Sequence, residues 1–166
     1  KIATAGIRYE VPEPLHWPQR FESVLNVIYL VFNEGYASRA EPYMREDFMH
    51  EAIRLARMIL LLQPDQAEAE GLLALMLLHH ARVPARMNAS GETIPLDEQN
   101  RSLWHIPEIN LGLALVQTAL KRGAAGPFQI QAAISALHAE AQCFDQTDWK
   151  QIVLLYGAVL KHKQNP

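Results

Sequence analysis

The segment from 24 to 36, VLNVIYLVFNEGY, constrains the fold of this chain more than any other feature of the sequence. It is long enough for a helix of several turns and is apolar on almost every side. A helix without a solvated face has to be buried, so the segment predicts a central helix packed among other elements. Gly35 stands where helices commonly take the left-handed conformation that ends them, and we expect the helix to end there.

Composition bounds the architecture and the partners. The chain has 166 residues, 49% of them hydrophobic, which is enough for one sizeable core and too few for a second domain. Its net charge is −3, so nothing resembles the basic footprint that binds nucleic acid, and we expect no direct nucleic-acid contact. The single cysteine, Cys143, excludes an internal disulfide and fits a reducing compartment.

The sequence contains no pattern that directs it to a membrane. The apolar run 72–78 is far shorter than the roughly 20 residues that a membrane span needs. We therefore expect a cytoplasmic protein that makes no membrane contact. Because the chain starts at Lys1, without an initiator Met or a signal-peptide pattern, we also expect it to be a piece of a longer protein.

The first part of the chain predicts a linker and three helices. Residues 1–18 are a proline-containing linker, and residues 19–166 form a single helical domain. Pro18 suits the first turn of the first helix, which runs to about Asn33. A second helix spans about Met44 to Leu62, and a third follows at once, from about Gln66 to Arg82. The turn between them is so short that they must be antiparallel neighbours.

The second predicted helix is amphipathic. Its apolar stripe consists of Phe48, Ala52, Leu55, Ile59 and Leu62, and its polar stripe of Asp47, His50, Arg54 and Arg57. This spacing predicts one packed face and one solvated or ion-paired face.

Between Val83 and Ile106 the helical period lapses. This segment predicts a long loop with at most one turn near residues 99–104, and loops of this length usually bind something or pack down as an ordered cover. Three helices follow, starting at Pro107, at Pro127 and after Thr147, which we expect to be an N-cap. The last of them has a predicted apolar face made of Trp149, Ile152, Val153, Tyr156, Val159 and Leu160.

No strand of any length competes with these helices, so the predicted class is all-α. The junction 62–69 followed by Leu72, Ala74 and Leu75 looks like the boundary between two tetratricopeptide (TPR) units. The loop breaks the period, so the prediction is a short TPR-like array of antiparallel helix pairs. Nothing after Pro166 caps the last helix, and we expect its outer face to be exposed.

Several segments together resemble one family over nearly the whole chain. They are 8–12 (RYEVP), 27–36 (VIYLVFNEGY), 51–55 (EAIRL), 72–79 (LLALMLLH), 97–104 (DEQNRSLW), 138–141 (HAEA) and 147–149 (TDW). The family they resemble is the TPR-like C-terminal extension of bacterial extracytoplasmic-function (ECF) RNA polymerase sigma factors. In that family two regions that contact DNA and polymerase precede a linker like residues 1–18, and both are absent here.

The resemblance implies a regulatory, protein-interaction role in transcription initiation. The expected partners are the protein's own sigma regions, RNA polymerase or a regulatory protein. Family members typically lack a dedicated membrane-bound anti-sigma partner, which makes the extension a candidate for that control.

The sequence offers no chemistry of its own. His79 and His80 are adjacent and therefore point about 100° apart on a helix, and no His-Glu-x-x-His spacing is present, so we predict no metal site. Cys143 lacks a placeable base, and residues 123–127 lack the Lys and Ser/Thr of a phosphate-binding loop. We expect neither catalysis nor a cofactor.

Polar residues near the loop are the candidate interaction residues: Glu34, Arg54, Arg57, Asp97, Arg101 and Trp104. One hypothesis is that the loop folds back over the helix pair, with Asp97 and Arg101 pairing with charges left on those helices and Trp104 serving as an apolar anchor. The alternative is a set of separate solvated charges.

Two further hypotheses concern function and assembly. In one, the domain senses a small ligand in a polar pocket formed by the loop and the surroundings of Glu34 and Arg54. In the other, the uncapped last helix mediates a homodimer.

Overall fold

The computed structural model describes residues 17–37, 42–123 and 125–164, so residues 1–16 of the predicted linker lie outside it. Seven α-helices occupy most of this part of the chain: α1 (Trp17–Ala37), α2 (Pro42–Leu62), α3 (Ala67–His80), α4 (Val83–Arg86), α5 (Ile106–Lys121), α6 (Pro127–Glu140) and α7 (Trp149–Gln164). Extended pairing within the described ranges is limited to one isolated bridge between Met87 and Thr93. The predicted all-α class is confirmed.

Neighbouring helices pack on one another in an array. α1 packs on α2 and α2 on α3, while α3 also contacts α5 and α6, and α6 contacts α7. The central helix is therefore α3, in which every residue from Ala69 to Leu78 is buried. The prediction that α1 is central was wrong: α1 stands at one end of the array, and one side of it is covered, by α2, by α3 and by Phe128 of α6.

Two glycines let neighbouring helices approach α3 closely. A Cβ atom on Gly71 of α3 would lie 2.7 Å from the backbone nitrogen of Gln129 in α6. A Cβ atom on Gly112 of α5 would lie 2.8 Å from Cγ of Leu78. These contacts are shorter than side chains tolerate, so the packing of α3 against α5 and α6 requires glycine at both positions.

Gly35 does not end α1. The helix continues to Ala37, and within the described residues only Gly91 and Gly123 are glycines with positive φ, both 78°. Gly35 is buried inside the last turns of the helix, so the expected cap there was wrong. Gly123, by contrast, follows the end of α5 in the left-handed conformation typical of a helix terminus.

α2 is rotated relative to its predicted stripe. Its buried residues are Met49, Ala52, Ile53 and Ala56, whereas Leu62 is 78% exposed. Leu55 and Ile59 of the predicted stripe are still partly buried against the core. The packed face extends beyond that stripe to Met49 and Ile53 because it serves two neighbours, α1 and α3. The predicted polar stripe is exposed as expected.

The segment between α3 and α5 is ordered by its own hydrogen bonds. The Ile94 N–H donates to the Arg86 carbonyl at 2.7 Å, and the side chain of Gln99 donates to the Ile94 carbonyl at 2.9 Å. The His105 N–H then donates to the Ala81 carbonyl at 2.9 Å, which brings the segment back to the end of α3. This long ordered loop agrees with the prediction, and the 3-10 turn at Arg101–Leu103 lies where one turn was predicted. The short helix α4 was not predicted.

The cap and the apolar face of α7 differ from the prediction. Asp148, not Thr147, caps the helix, because its Oδ1 accepts the Gln151 N–H at 3.0 Å. Ile152 is buried against α6, but the outer face of α7 is exposed, including Val153 (68%), Leu154 (74%), Tyr156 and Leu160.

Candidate functional site

An apolar groove runs between α1 and α2 on the side that no other described helix covers. Its volume is about 860 Å³, and its apolar lining consists of Val24, Val27, Ile28, Leu55, Met58, Ile59 and Leu62. Val27 is 59% exposed and Met58 41%. A concave apolar surface of this kind is typical of sites where proteins bind a partner or a ligand.

The sequence produces this groove because α1 is apolar on more than one face. Leu25, Ile28 and Phe32 point into the core, so Val24, Val27 and Leu30 remain on the outside. The same all-round apolarity that predicted a buried helix therefore creates an exposed apolar surface at the end of the array. The polar residues among its described lining are Gln19, Arg20 and Ser23, all from the first two turns of α1.

Three predicted site residues on α1 and α2 do not form a pocket with the loop. Arg54 pairs with Glu51 on its own helix, with nitrogen–oxygen distances of 2.7 and 2.8 Å, and both side chains are exposed. Glu34 and Arg57 are exposed and form no ion pair with another described residue. Arg54 therefore neutralises Glu51 on its own helix and does not contact the loop.

Arg101 and Trp104 come together, but not through ion pairs. Trp104 is only 5% exposed and packs in the core, as expected of an anchor. Arg101 lies over its ring, with Cζ 4.4 Å from the ring centroid. Nη1 of Arg101 donates to the carbonyls of His138 at 2.7 Å and Ala141 at 2.9 Å, so this side chain caps the C-terminal end of α6.

The expected pairing of Asp97 and Arg101 with charges on the helices was wrong. Asp97 is exposed, and the described residues provide it with no ionic partner. Arg101 binds carbonyl oxygens because the end of α6 leaves its last carbonyls without helical partners.

A second arginine completes what we call the arginine–tryptophan cluster: Arg82, Arg101 and Trp104. Cζ of Arg82 lies 5.9 Å from the Trp104 ring centroid, and its Nη2 donates to the Tyr36 hydroxyl at 3.3 Å. No carboxylate of the described residues bonds to either guanidinium group. The cluster therefore carries two positive charges that the described part of the protein does not neutralise.

Two histidines next to the cluster show the effect of this charge. Burial lowers the pKa of His79 to about 3, and the positive charges of Arg82 and Arg86 act in the same direction. Burial also lowers the pKa of His138, together with the charges of Arg82 and Arg101. Both imidazoles are therefore neutral at physiological pH, and Nε2 of His79 lies 3.1 Å from the Ser135 hydroxyl.

Several donors in the arginine–tryptophan cluster have no protein partner. The indole Nε1 of Trp104, Nε of Arg82 and Nη2 of Arg101 are all closed to solvent and bond to no protein atom. Buried donors without partners are rare in folded proteins, and they concentrate where a ligand or an ordered water binds.

Sequence reasoning missed the groove residues Val24, Val27 and Met58 and the position of Arg82 over Trp104. The exposed apolar face of α1 could have been predicted from its lack of polar residues. The contact of Arg82 with Trp104 could not, because it depends on how the loop folds. The described ranges contain no group of three residues able to hold a metal ion, and none of their helices is long and apolar enough to cross a membrane.

Comparisons with known proteins place the chain in one family. A family of unknown function, DUF6596, matches residues 20–120. A relative described as an uncharacterized protein of Rhizobium meliloti (strain 1021) is 44% identical over 167 residues, an alignment that covers 100% of this chain and 40% of the relative. The chain thus spans well under half of that relative's length. No solved structure matches it.

Proposed function

We propose that this chain, which belongs to the DUF6596 family, is the regulatory protein-interaction domain of an ECF sigma factor, and that its α1–α2 groove binds the sigma regions of the same protein. The proposal combines the family resemblance of the sequence with the structure of the groove. The larger part of the 44% identical relative lies outside the aligned region, which leaves room for further domains.

The observation that carries the proposal is the exposed apolar lining of the α1–α2 groove. Val24, Val27, Met58 and Leu62 are each between 41% and 78% exposed along one groove. Surfaces of this kind are typical of sites where an amphipathic helix docks through its apolar face. The polymerase-binding and promoter-binding regions of sigma factors, as the resemblance implies them, are helical and could provide such a face.

Two lysine substitutions at exposed apolar residues, one inside the groove and one outside it, test this proposal. We expect Val27→Lys, inside the groove, to weaken binding of this chain to the sigma regions at least tenfold, because it places an ammonium group on a surface that becomes buried. Leu111→Lys on α5 changes another exposed apolar residue, 43% exposed against 59%, outside the groove and away from the outer face of α7. Isothermal titration calorimetry with the separately produced sigma regions measures both.

Three results would contradict the proposal. They are the absence of binding by the unmodified chain, equal weakening by both substitutions, and binding that Val27→Lys leaves unchanged. The chain could instead bind RNA polymerase or a separate regulatory protein and not the sigma regions. That result would reject the intramolecular docking proposed here.

The outer face of α7 supports a separate proposal, a homodimer. Val153, Leu154, Tyr156 and Leu160 form an exposed apolar surface on that helix. Light scattering over a range of concentrations tests it, and a constant monomer mass would reject it.

A further inference from the structure

A second groove begins at the arginine–tryptophan cluster. It has a volume of about 590 Å³ and lies between the start of α5 and the end of α6. Arg101 and Trp104 line one end, and Ile106, Ile109 and Leu113 line its apolar wall. No residue of this groove belongs to the α1–α2 groove, so a ligand site here is independent of the proposed function.

The chemistry of this groove is that of a positively charged end joined to an apolar wall. Arg101 keeps its positive charge, although burial lowers its pKa from the usual value. Its Nη1 is occupied by two carbonyls, whereas its Nη2 and the indole Nε1 of Trp104 have no protein partner. Arg82 adds a second positive charge on the Trp104 ring. Two uncompensated guanidinium groups beside free donors favour an anion.

The remaining groups around the groove restrict which anion fits. Glu140 lines the groove and is exposed, so its negative charge offsets one of the two guanidinium charges, and the positive charge that remains matches a single carboxylate. The other titratable groups next to Arg101 are His138, whose lowered pKa leaves it neutral, and the exposed thiol of Cys143. The apolar wall formed by Ile106, Ile109 and Leu113 requires a ligand with an apolar body.

We propose that this groove binds a small monocarboxylic acid whose carboxylate accepts hydrogen bonds from Arg101 and Trp104 and whose apolar body lies along Ile106 and Ile109. Both side chains line the groove, but the two donor atoms themselves are closed to solvent. Binding therefore requires a small rotation of the indole or guanidinium group, and the environment of the Trp104 indole N–H changes on binding.

Nuclear magnetic resonance of the full chain tests the proposed binding directly. The chain has only three tryptophans, so its spectrum contains three indole N–H signals. Hexanoate is the probe, and hexanamide is its neutral match. Inorganic phosphate at mildly alkaline pH, where it is mostly doubly charged, is the comparison without an apolar body. We expect hexanoate to shift the Trp104 indole signal in a saturable manner, with affinity at least tenfold above that of hexanamide and of phosphate. Comparison with Trp104→Phe assigns the signal.

Substitutions distinguish a loss of carboxylate binding from a loss of folding. Because a hydrogen bond to a charged group contributes a factor of roughly ten or more, we expect Arg101→Gln to weaken hexanoate binding at least tenfold, as followed by the backbone amides of Ile109 and Asn110. Arg101 also caps α6, so Trp104→Phe and Arg82→Gln provide independent variants that keep this cap. Arg57→Gln, an exposed arginine outside the groove, is the matched control and should leave the affinity unchanged.

The proposal is overturned if hexanoate gives no saturable shift, if hexanamide or phosphate binds as tightly, or if folded Arg82→Gln and Trp104→Phe both retain the original affinity.

Discussion

The carboxylate of Glu68 accepts two hydrogen bonds from Gln129, one from the backbone N–H at 3.2 Å and one from the side-chain Nε2 at 3.0 Å. It accepts a third from the Phe128 N–H at 3.0 Å. The first turn of α3 thus caps the N-terminus of α6, which lacks a side-chain cap of its own. Nearby, Arg122 bonds to Glu70 at 2.9 and 3.0 Å, so the α5–α6 connection is held to the start of α3 at two places.

Removing the Glu68 carboxylate should destabilise the array. Glu68→Ala leaves the Phe128 and Gln129 donors without an acceptor, and we expect a loss of about 1–3 kcal/mol in the free energy of unfolding. Urea denaturation measures it. Glu98→Ala removes an exposed carboxylate with no side-chain hydrogen bond among the described residues and is the control. Equal stability of the two variants would show that the cap contributes nothing.

Replacing glycine by alanine should have opposite effects on stability at two helical positions, because only one of them lies at the close contact between α3 and α6. Gly71→Ala forces the backbone of Gln129 away and should destabilise the protein by about 1–3 kcal/mol or more. Gly157→Ala on α7 meets no atom within 4 Å and should stabilise it by about 0.4–1 kcal/mol, since alanine favours the helix. Thermal unfolding of both variants measures these effects. A higher melting temperature for Gly71→Ala would contradict the close packing of α3 against α6.

Trp104 should contribute more to stability than Trp149. Trp104 is 5% exposed and Trp149 is 42% exposed. We expect Trp104→Ala to lower the free energy of unfolding by about 3–5 kcal/mol through loss of burial and creation of a cavity. Trp149→Ala should cost distinctly less. A melting temperature of Trp104→Ala within error of the unmodified chain would mean that the loop is not anchored.

The lowered pKa of His79 predicts a loss of stability in mild acid. The unfolded chain takes up a proton on this histidine near pH 6.5, whereas the folded protein does so only near pH 3. The stabilisation is therefore complete above about pH 6.5 and decreases as the pH falls toward 3, by about 2 kcal/mol between pH 6.5 and 5. The lowered pKa of His138 acts in the same direction.

His79→Gln separates this effect from other titrations. We expect the free energy of unfolding of His79→Gln to depend less steeply on pH between 6.5 and 5 than that of the unmodified chain. Glu108 does not interfere in this window: burial would raise its pKa, but the hydrogen bond and charge of His80 bring it below the usual value. Identical slopes for the two proteins would contradict the account of His79.

The helices were predictable because their signals are local. Pro107 and Pro127 stand in the first turns of α5 and α6, and Gly123 ends α5, as their backbone preferences dictate. Which face of a helix is buried depends on its neighbours, and the predicted buried faces of α1 and α2 differ from those observed. Val27 is as apolar as Leu25, yet it is 59% exposed, because nothing in the described array packs on that side of α1.

The candidate sites were less predictable for the same reason. Trp104 was identified because a large aromatic residue in a long loop needs a place in the core. The partners of Arg101, two carbonyls at the end of α6, are backbone groups that no residue type reveals. Arg82 comes from the end of α3, and its position over Trp104 follows only from the path of the loop.

The proposed sigma-factor role is tested most directly by whether the product of the complete reading frame that contains this chain binds core RNA polymerase. Purified full-length protein and core enzyme are combined and resolved by size-exclusion chromatography, and transcription from genomic fragments is measured with the same mixture. The account predicts co-elution with the core enzyme and transcription that requires the full-length protein. Separate elution, with no transcription above that of the core enzyme alone, would contradict it.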